Sequence, residues 1–277
     1  MKFSCLPVSL YADISAGHRT LADWFRFAAE LGLNGADISV AHLESRDRDY
    51  LTGLRRQAET AGVKIPIMVT YTDFTHPDAA ERKRQTNSLK QIIDAAAPLG
   101  ISYLRVTAGQ AHPGVTRDEG IGWAVEGLTA CLDHADDMGI TLTYENHTIG
   151  YGWSHYDFSQ PAEIFLEIVQ RTEGSGLRIL FDTANPLARS EDPLAILEAV
   201  KHRLAIVHVS DIRQAGSFEP VVIGTGSSPV RAIFERLHEL NFTGWISVEE
   251  ASRTGEDGFR QAIPYTMALW EETATTS

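Results

Sequence analysis

Four ionisable side chains stand where an apolar residue would be expected. The segments Leu142-Thr143-Tyr144-Glu145, Leu180-Phe181-Asp182, Ile206-Val207-His208 and Ile246-Ser247-Val248-Glu249 read as buried strands that end on an acid or an imidazole. Strands of a parallel sheet are covered on both faces and normally read as continuous apolar runs. Three carboxylates gathered in a partly dry pocket repel one another and lose solvation, and a divalent cation offsets both costs. Oxygen-rich ligation with one histidine suits Mn2+ best among the common ions, with Mg2+ or Co2+ next, and not a thiolate zinc site. Each residue alone also has a plain structural reading. Asp182 before Thr183 could cap a helix, His208 could be a hydrogen-bonded core residue, and Glu145 could be ion-paired to Arg105. Four on successive strands favour the metal reading.

The elements that must position these residues follow a strand–helix rhythm. Strands are expected at 3–10, 34–39, 64–70, 102–107, 140–146, 178–182, 204–210 and 245–249. Amphipathic helical stretches follow most of them, including Leu21 to Leu31, Ala79 to Leu99, Gly120 to Met138, Pro161 to Gln170, Val230 to Leu240 and a last helix over 258–272. Several stop at a glycine, as in Ala61-Gly62 and Leu99-Gly100. Eight units in 277 residues suit a repeating βα unit. No glycine-rich phosphate turn follows the first strand, so a closed α/β barrel, a single (β/α)8 TIM barrel, is expected over an open nucleotide-binding sheet. Gly224-Thr225-Gly226 is read as a turn. Nothing divides the chain, so 1–277 reads as one TIM-barrel domain with a frayed tail from Thr273.

Alternation then sets the phase of each strand. Ile246 and Val248 should face the helices, which sends Ser247 and Glu249 inward and Glu250 outward. Leu142 and Tyr144 face out, while Thr143, Glu145 and His147 face in. Val207 and Val209 face out and His208 in, and Asp182 follows Phe181 on the inward side. All four candidates therefore lie at the C-terminal mouth of the barrel, the face where such barrels do chemistry. Asp37 and Arg105 are also expected inward, as a polar floor or wall.

In Tyr144-Glu145-Asn146-His147, Phe181-Asp182-Thr183-Ala184-Asn185, Val207-His208-Val209-Ser210-Asp211 and Gly244-Trp245-Ile246-Ser247-Val248-Glu249 the chain resembles the xylose-isomerase-like TIM-barrel superfamily. The likeness is strongest to its sugar phosphate isomerase/epimerase and inosose dehydratase branch. It covers the C-terminal half well and the N-terminal half only as rhythm. The resemblance implies that Glu145, Asp182, His208 and Glu249 bind one divalent metal, and that Glu145 and Glu249 also act as acid and base. The chemistry itself is general. A cation that chelates a ketone and its neighbouring hydroxyl acidifies the adjacent C–H and stabilises the enediolate. Removal of the proton by one carboxylate and its return by another epimerises; a shifted carbonyl isomerises; loss of a β-oxygen eliminates water. The DNA-repair branch of the superfamily, of the endonuclease IV type, has a histidine ligand where this chain has Asn185, although His112-Pro113-Gly114 is similar to one of its motifs. Xylose isomerase itself is disfavoured because no inward lysine accompanies the metal residues.

Further contacts to a small sugar-like substrate are expected from His147, two residues beyond Glu145, and from Arg105 and Arg213. Trp153 lies in the loop Gly150-Tyr151-Gly152-Trp153-Ser154-His155-Tyr156, whose aromatic and glycine content suits a sugar-stacking lid. Asp211 could support His208 or hold a main-chain turn. A metal-dependent isomerase or epimerase is therefore expected, with a lyase or dehydratase as the alternative and a non-catalytic sugar-binding barrel third.

Bulk properties narrow the partners. The formal net charge is −13, with 37 acids against 24 bases, which disfavours nucleic acid. No run reaches the ~18 apolar residues that span a membrane. Cys5 and Cys131 follow no disulfide or metal spacing, and no signal-like apolar stretch precedes Asp13. A cytoplasmic protein is expected, and self-association into a homo-oligomer is compatible with this composition.

Overall fold

The computed structural model describes residues 1–274. Its strands are β1 (Lys2–Leu6), β2 (Gly35–Ala36), β3 (Ile38–Ser39), β4 (Ile67–Val69), β5 (Tyr103–Val106), β6 (Thr141–Glu145), β7 (Arg178–Asp182), β8 (Leu204–Val209) and β9 (Trp245–Glu249). All pair in parallel, in the order β2-β1-β9-β8-β7-β6-β5-β4-β3. The two ends of that order are halves of one stave. β2 pairs with β1, β3 pairs with β4, and Asp37 alone separates them. The sheet thus closes into an eight-stave barrel.

Around it run α1 (Tyr11–Ser15), α2 (Leu21–Glu30), α3 (Arg48–Ala61), α4 (Ala79–Leu99), α5 (Arg117–Thr129), α6 (Leu132–Asp137), α7 (Ala162–Arg171), α8 (Pro193–Val200), α9 (Val230–Glu239) and α10 (Glu256–Ala274). Local chemistry sets their ends. Thr20 and Thr116 each form a capping box, with Asp23 and Glu119. α3 and α4 stop at Gly62 and Gly100, whose φ of 91° and 75° favour glycine. Among the described residues no helix is long and apolar enough to cross a membrane.

Two hydrophobic layers result. The larger fills the space between staves and helices and includes Val207, Val209, Ile246 and Val248. The smaller lies inside the barrel and includes Ile67, Val69, Leu180, Ile206 and Trp245. These two memberships match the expected alternation on β8 and β9. The polar inward residues follow the inner apolar ones toward the mouth, at Asp182, His208, Ser247 and Glu249.

The strand expected at 64–70 shortens to Ile67–Val69, and the boundaries differ from expectation in four further places. The first strand does not run through residue 10: Pro7 ends it, and Val8–Leu10 is a 3-10 turn. The segment 34–39 is split at Asp37. The helical stretch 120–138 is two helices, broken over Ala130 and Cys131. Thr273 and Ala274 belong to α10 and are not frayed, while the remaining tail, 275–277, lies outside the described residues.

Candidate metal centre

β6, β7, β8 and β9 are consecutive staves, and each carries one member of the cluster at or beside its C-terminal end: Glu145, Asp182, His208 and Glu249. One ligand atom from each lies within 4.8 Å of the others. His208 Nδ1 is 2.9 Å from Glu145 Oε1 and 2.9 Å from Glu249 Oε2. Glu145, Asp182 and His208 are fully buried, whereas the Glu249 side chain is 25% exposed. Glu249 is therefore the member at the solvent edge.

The surroundings fix these side chains firmly. Asp182 Oδ1 accepts the backbone N–H groups of Ala184 and Asn185 at 2.9 and 2.7 Å, and Ser210 Oγ donates to the same carboxylate at 2.8–2.9 Å. Asp182 thus holds the main chain that leads into the short turn Asn185–Arg189, whose N-cap position is Ala184, and it also faces the cluster. The Asn146 side chain bonds reciprocally to the Asp182 backbone, donating to its carbonyl at 2.9 Å and accepting from its N–H at 2.8 Å. Arg105 Nε lies 3.3 Å from Glu145 Oε2. The ion pair and the cluster coexist.

Charge explains why this arrangement suits a cation. Burial, then the charges of Glu249 and Glu145, push the Asp182 carboxyl up to about 7. For Glu145 burial acts upward, yet Arg105 and then His208 hold its carboxyl down at about 2. Burial would lower His208, but Glu145 and Glu249 draw its imidazole up to about 10. The imidazole is thus drawn towards its charged form between two glutamates, and the third carboxylate is left short of positive charge. One divalent ion among three carboxylate oxygens and a neutral Nδ1 would relieve all three. The residues present fit such an ion.

The other residues singled out from sequence fall in different places. His147 is buried beside Glu145, with Nδ1 at 3.2 Å from Asp157 Oδ2. The Trp153 ring stands edge-on to His147 at 5.6 Å. Arg213 sits on the outer loop after β8, in a largely exposed pair with Glu219 at 2.8 Å, and is not gathered into the cluster. Asp37 faces the interior, accepting from Ser4 Oγ and Ser247 Oγ at 2.7 and 2.6 Å. Asp211 holds a turn: its carboxylate accepts the N–H groups of Gly224, Gly226 and Ser228. Sequence reasoning passed over Asn146, Ser210 and Asp157, which orient the cluster and its flank. An amide directly after the Glu145 position was the one available signal.

A closed parallel barrel with a compact acid–histidine cluster at its C-terminal mouth defines an α/β barrel with a cluster able to hold a metal ion. Residues 25–269 match the family model described as xylose isomerase-like TIM barrel, and the chain belongs to that family. An inosose dehydratase of Clostridium beijerinckii is 30% identical over 142 residues, 45% of this chain and 45% of that enzyme, so the match spans less than half its length. A Streptomyces coelicolor relative that carries the name hydroxypyruvate isomerase is 26% identical over 252 residues, covering 86% of this chain and 87% of that one. A D-psicose 3-epimerase structure with D-tagatose from Clostridium cellulolyticum H10 superposes with a TM-score of 0.78 at 13% identity, covering 99% of each chain. That last likeness is one of fold.

Proposed function

We propose that the protein is a divalent-metal-dependent isomerase or epimerase of a small sugar or keto-sugar, working through an enediolate in the cytoplasm with Mn2+ as its ion. The observation that carries this reading is the pair of glutamates bounding the cluster, each 2.9 Å from the same histidine nitrogen and brought there by β6 and β9. When bound, the cation polarises a ketone and its neighbouring hydroxyl and so acidifies the C–H between them. Glu145 and Glu249, with Asp182 and His208, are the residues that would hold it.

The chain's own groups do the rest. Glu145 and Glu249 come from β6 and β9, the outer two of the four staves, and one carboxylate removes the proton while the other returns it. Arg105 keeps Glu145 ionised, and so free to accept a proton. Asp157 holds Nδ1 of His147, which leaves the other ring nitrogen to meet a substrate hydroxyl beside Glu145. Trp153 closes over His147 and screens that side from water, and Arg213 reaches substrate from the rim on leaving Glu219.

The test is solvent exchange. Mn2+-loaded protein in D2O, offered a panel of ketoses, keto-glycosides and inososes, should place deuterium at the carbon beside the carbonyl and yield an epimer or a shifted carbonyl. No exchange with any member would end this reading. The likeness to an inosose dehydratase favours one second reading, in which the same carboxylates drive loss of a β-oxygen. An unsaturated product in the same assay identifies it.

A further inference from the structure

We propose that Tyr11 and His42 form a subsite for the uncharged, hydroxyl-bearing end of the substrate, roofed by Tyr151. The inference deepens the function proposed above and rests on it for the reacting end.

Tyr11, just after β1, and His42, just after β3, are both more than nine-tenths buried. Their rings meet edge-on with centroids 4.5 Å apart. Both ring nitrogens of His42 have no hydrogen-bond partner, and the Tyr11 hydroxyl, close enough to Tyr71 to feel it, makes no hydrogen bond of good geometry. Buried polar atoms are nearly always paired in folded proteins, and leaving one unpaired is costly. Three on two touching side chains at the mouth of the barrel point to a partner brought from outside.

Tyr151 covers them. It belongs to the loop after β6, yet its ring lies 5.6 Å from Tyr11 and 6.3 Å from both His42 and Tyr71, which follow β1, β3 and β4. Its hydroxyl is 3.2 Å from Ser15 Oγ at the end of α1. The loop therefore crosses the mouth. Glycines flank the tyrosine: Gly152 has φ of 78°, and a Cβ on Gly150 would strike the Trp153 ring at 2.6 Å. Tyr151 is itself 48% exposed, and among the described residues its hydroxyl meets only Ser15, so lifting the ring uncovers the unpaired atoms. The patch is continuous with the cluster, since Tyr71 lies 5.0 Å from the Arg105 guanidinium and Arg105 meets Glu145.

The chemistry of the patch selects its ligand. Burial holds the His42 imidazole down at about 4, so it is neutral, and burial likewise pushes the Tyr11 hydroxyl well up. The neighbouring cation, Arg105, is ion-paired through Nε to Glu145 at 3.3 Å and lies over the Tyr71 ring. Neutral donors and acceptors edged by aromatic rings suit the hydroxyls and C–H faces of a polyol. A phosphate or carboxylate would be desolvated there without compensation.

The test measures binding to the Mn2+-loaded chain by calorimetry, using D-tagatose, its 6-phosphate and the tail-less dihydroxyacetone. D-tagatose should bind at least about tenfold more tightly than its phosphate ester, an anion that would have to shed water against the neutral Tyr11 and His42 side chains. Tyr11→Phe and His42→Leu should each reduce the preference for D-tagatose over dihydroxyacetone by about tenfold, the worth of one hydrogen bond. Mn2+ affinity equal to wild type shows that each variant keeps its fold. Equal or tighter binding of the phosphate ester, failure of D-tagatose to bind, or an undiminished preference in both variants would each overturn the subsite; the ligand comparison needs no variant. Selective binding without C–H exchange sinks the proposed chemistry alone, and exchange with an undiminished preference sinks the subsite alone.

Discussion

The adjacent acids Glu249 and Glu250 face opposite ways, and that difference is a strong single-residue test of the proposed chemistry. Glu249 meets His208 in the cluster, whereas Glu250 is buried outside it and accepts the Ser252 N–H at 3.0 Å. Glu249→Gln should lose most turnover, about 10²- to 10⁴-fold for a lost proton-transfer group, while Glu250→Gln keeps its accepting oxygen and should cost little. Steady-state rates decide, and the reverse ranking would assign the base to Glu250. Excess Mn2+ should not rescue Glu249→Gln or Glu145→Gln, because an amide cannot accept the proton. Each variant should still exchange the one hydrogen facing its surviving glutamate, measured as deuterium uptake into each epimer. The convergence of the four side chains was legible because each interrupts an apolar strand at an inward position. The loop that carries Tyr151 was legible as an aromatic lid, but its meeting with Tyr11 and His42 was not, since those stand in short turns after β1 and β3 where no period applies.

At the level of elements, two contacts show how the barrel aims its mouth. α5 lays glycines against aromatic side chains from the mouth loops. A Cβ on Gly127 would fall 2.2 Å from the Phe74 ring, and one on Gly120 would fall 2.1 Å from Phe158. Gly127→Ala should therefore cost about 1–3 kcal/mol by overpacking, despite alanine's better helix propensity. A gain in the denaturation midpoint would show that Phe74 yields easily. The second contact is the Asn146 bridge to the Asp182 backbone. Asn146→Ala strands a buried N–H and C=O, and should destabilise by about 2–4 kcal/mol in a urea titration. The strand–helix rhythm was readable from apolar periodicity and glycine stops. The break over Ala130 and Cys131 was not, because nothing in Gly120 to Met138 forbids one long helix; the fold bends it there.

For the molecule as a whole, the cluster ties stability to its ion. A ligand that binds only the folded chain stabilises it by mass action, about 2.7 kcal/mol at a hundredfold excess over Kd. The melting temperature should climb with added Mn2+ and fall back on chelation. A melting temperature indifferent to Mn2+, Mg2+ and Co2+ alike would remove the metal reading. Closure of the barrel was an inference from the absence of a phosphate turn, and its physical seal is the stave split at Asp37. No periodicity announces a two-residue strand, so that seam was invisible in the sequence.

The unequal burial of the four ligands has a consequence for kinetics. Three are sealed and one, Glu249, touches solvent. An ion arriving from water meets Glu249 first and leaves by it last. Glu249 should then act as the doorway that sets how quickly the ion comes and goes, while Glu145, Asp182 and His208 set how deep the resting well is. In stopped-flow capture by a fluorescent chelator, Glu249→Gln should speed release more than it weakens equilibrium affinity. Asp182→Asn should instead weaken affinity and speed release by about the same factor, leaving the rate of formation little changed. The residue proposed to move the proton would then also keep time for the metal.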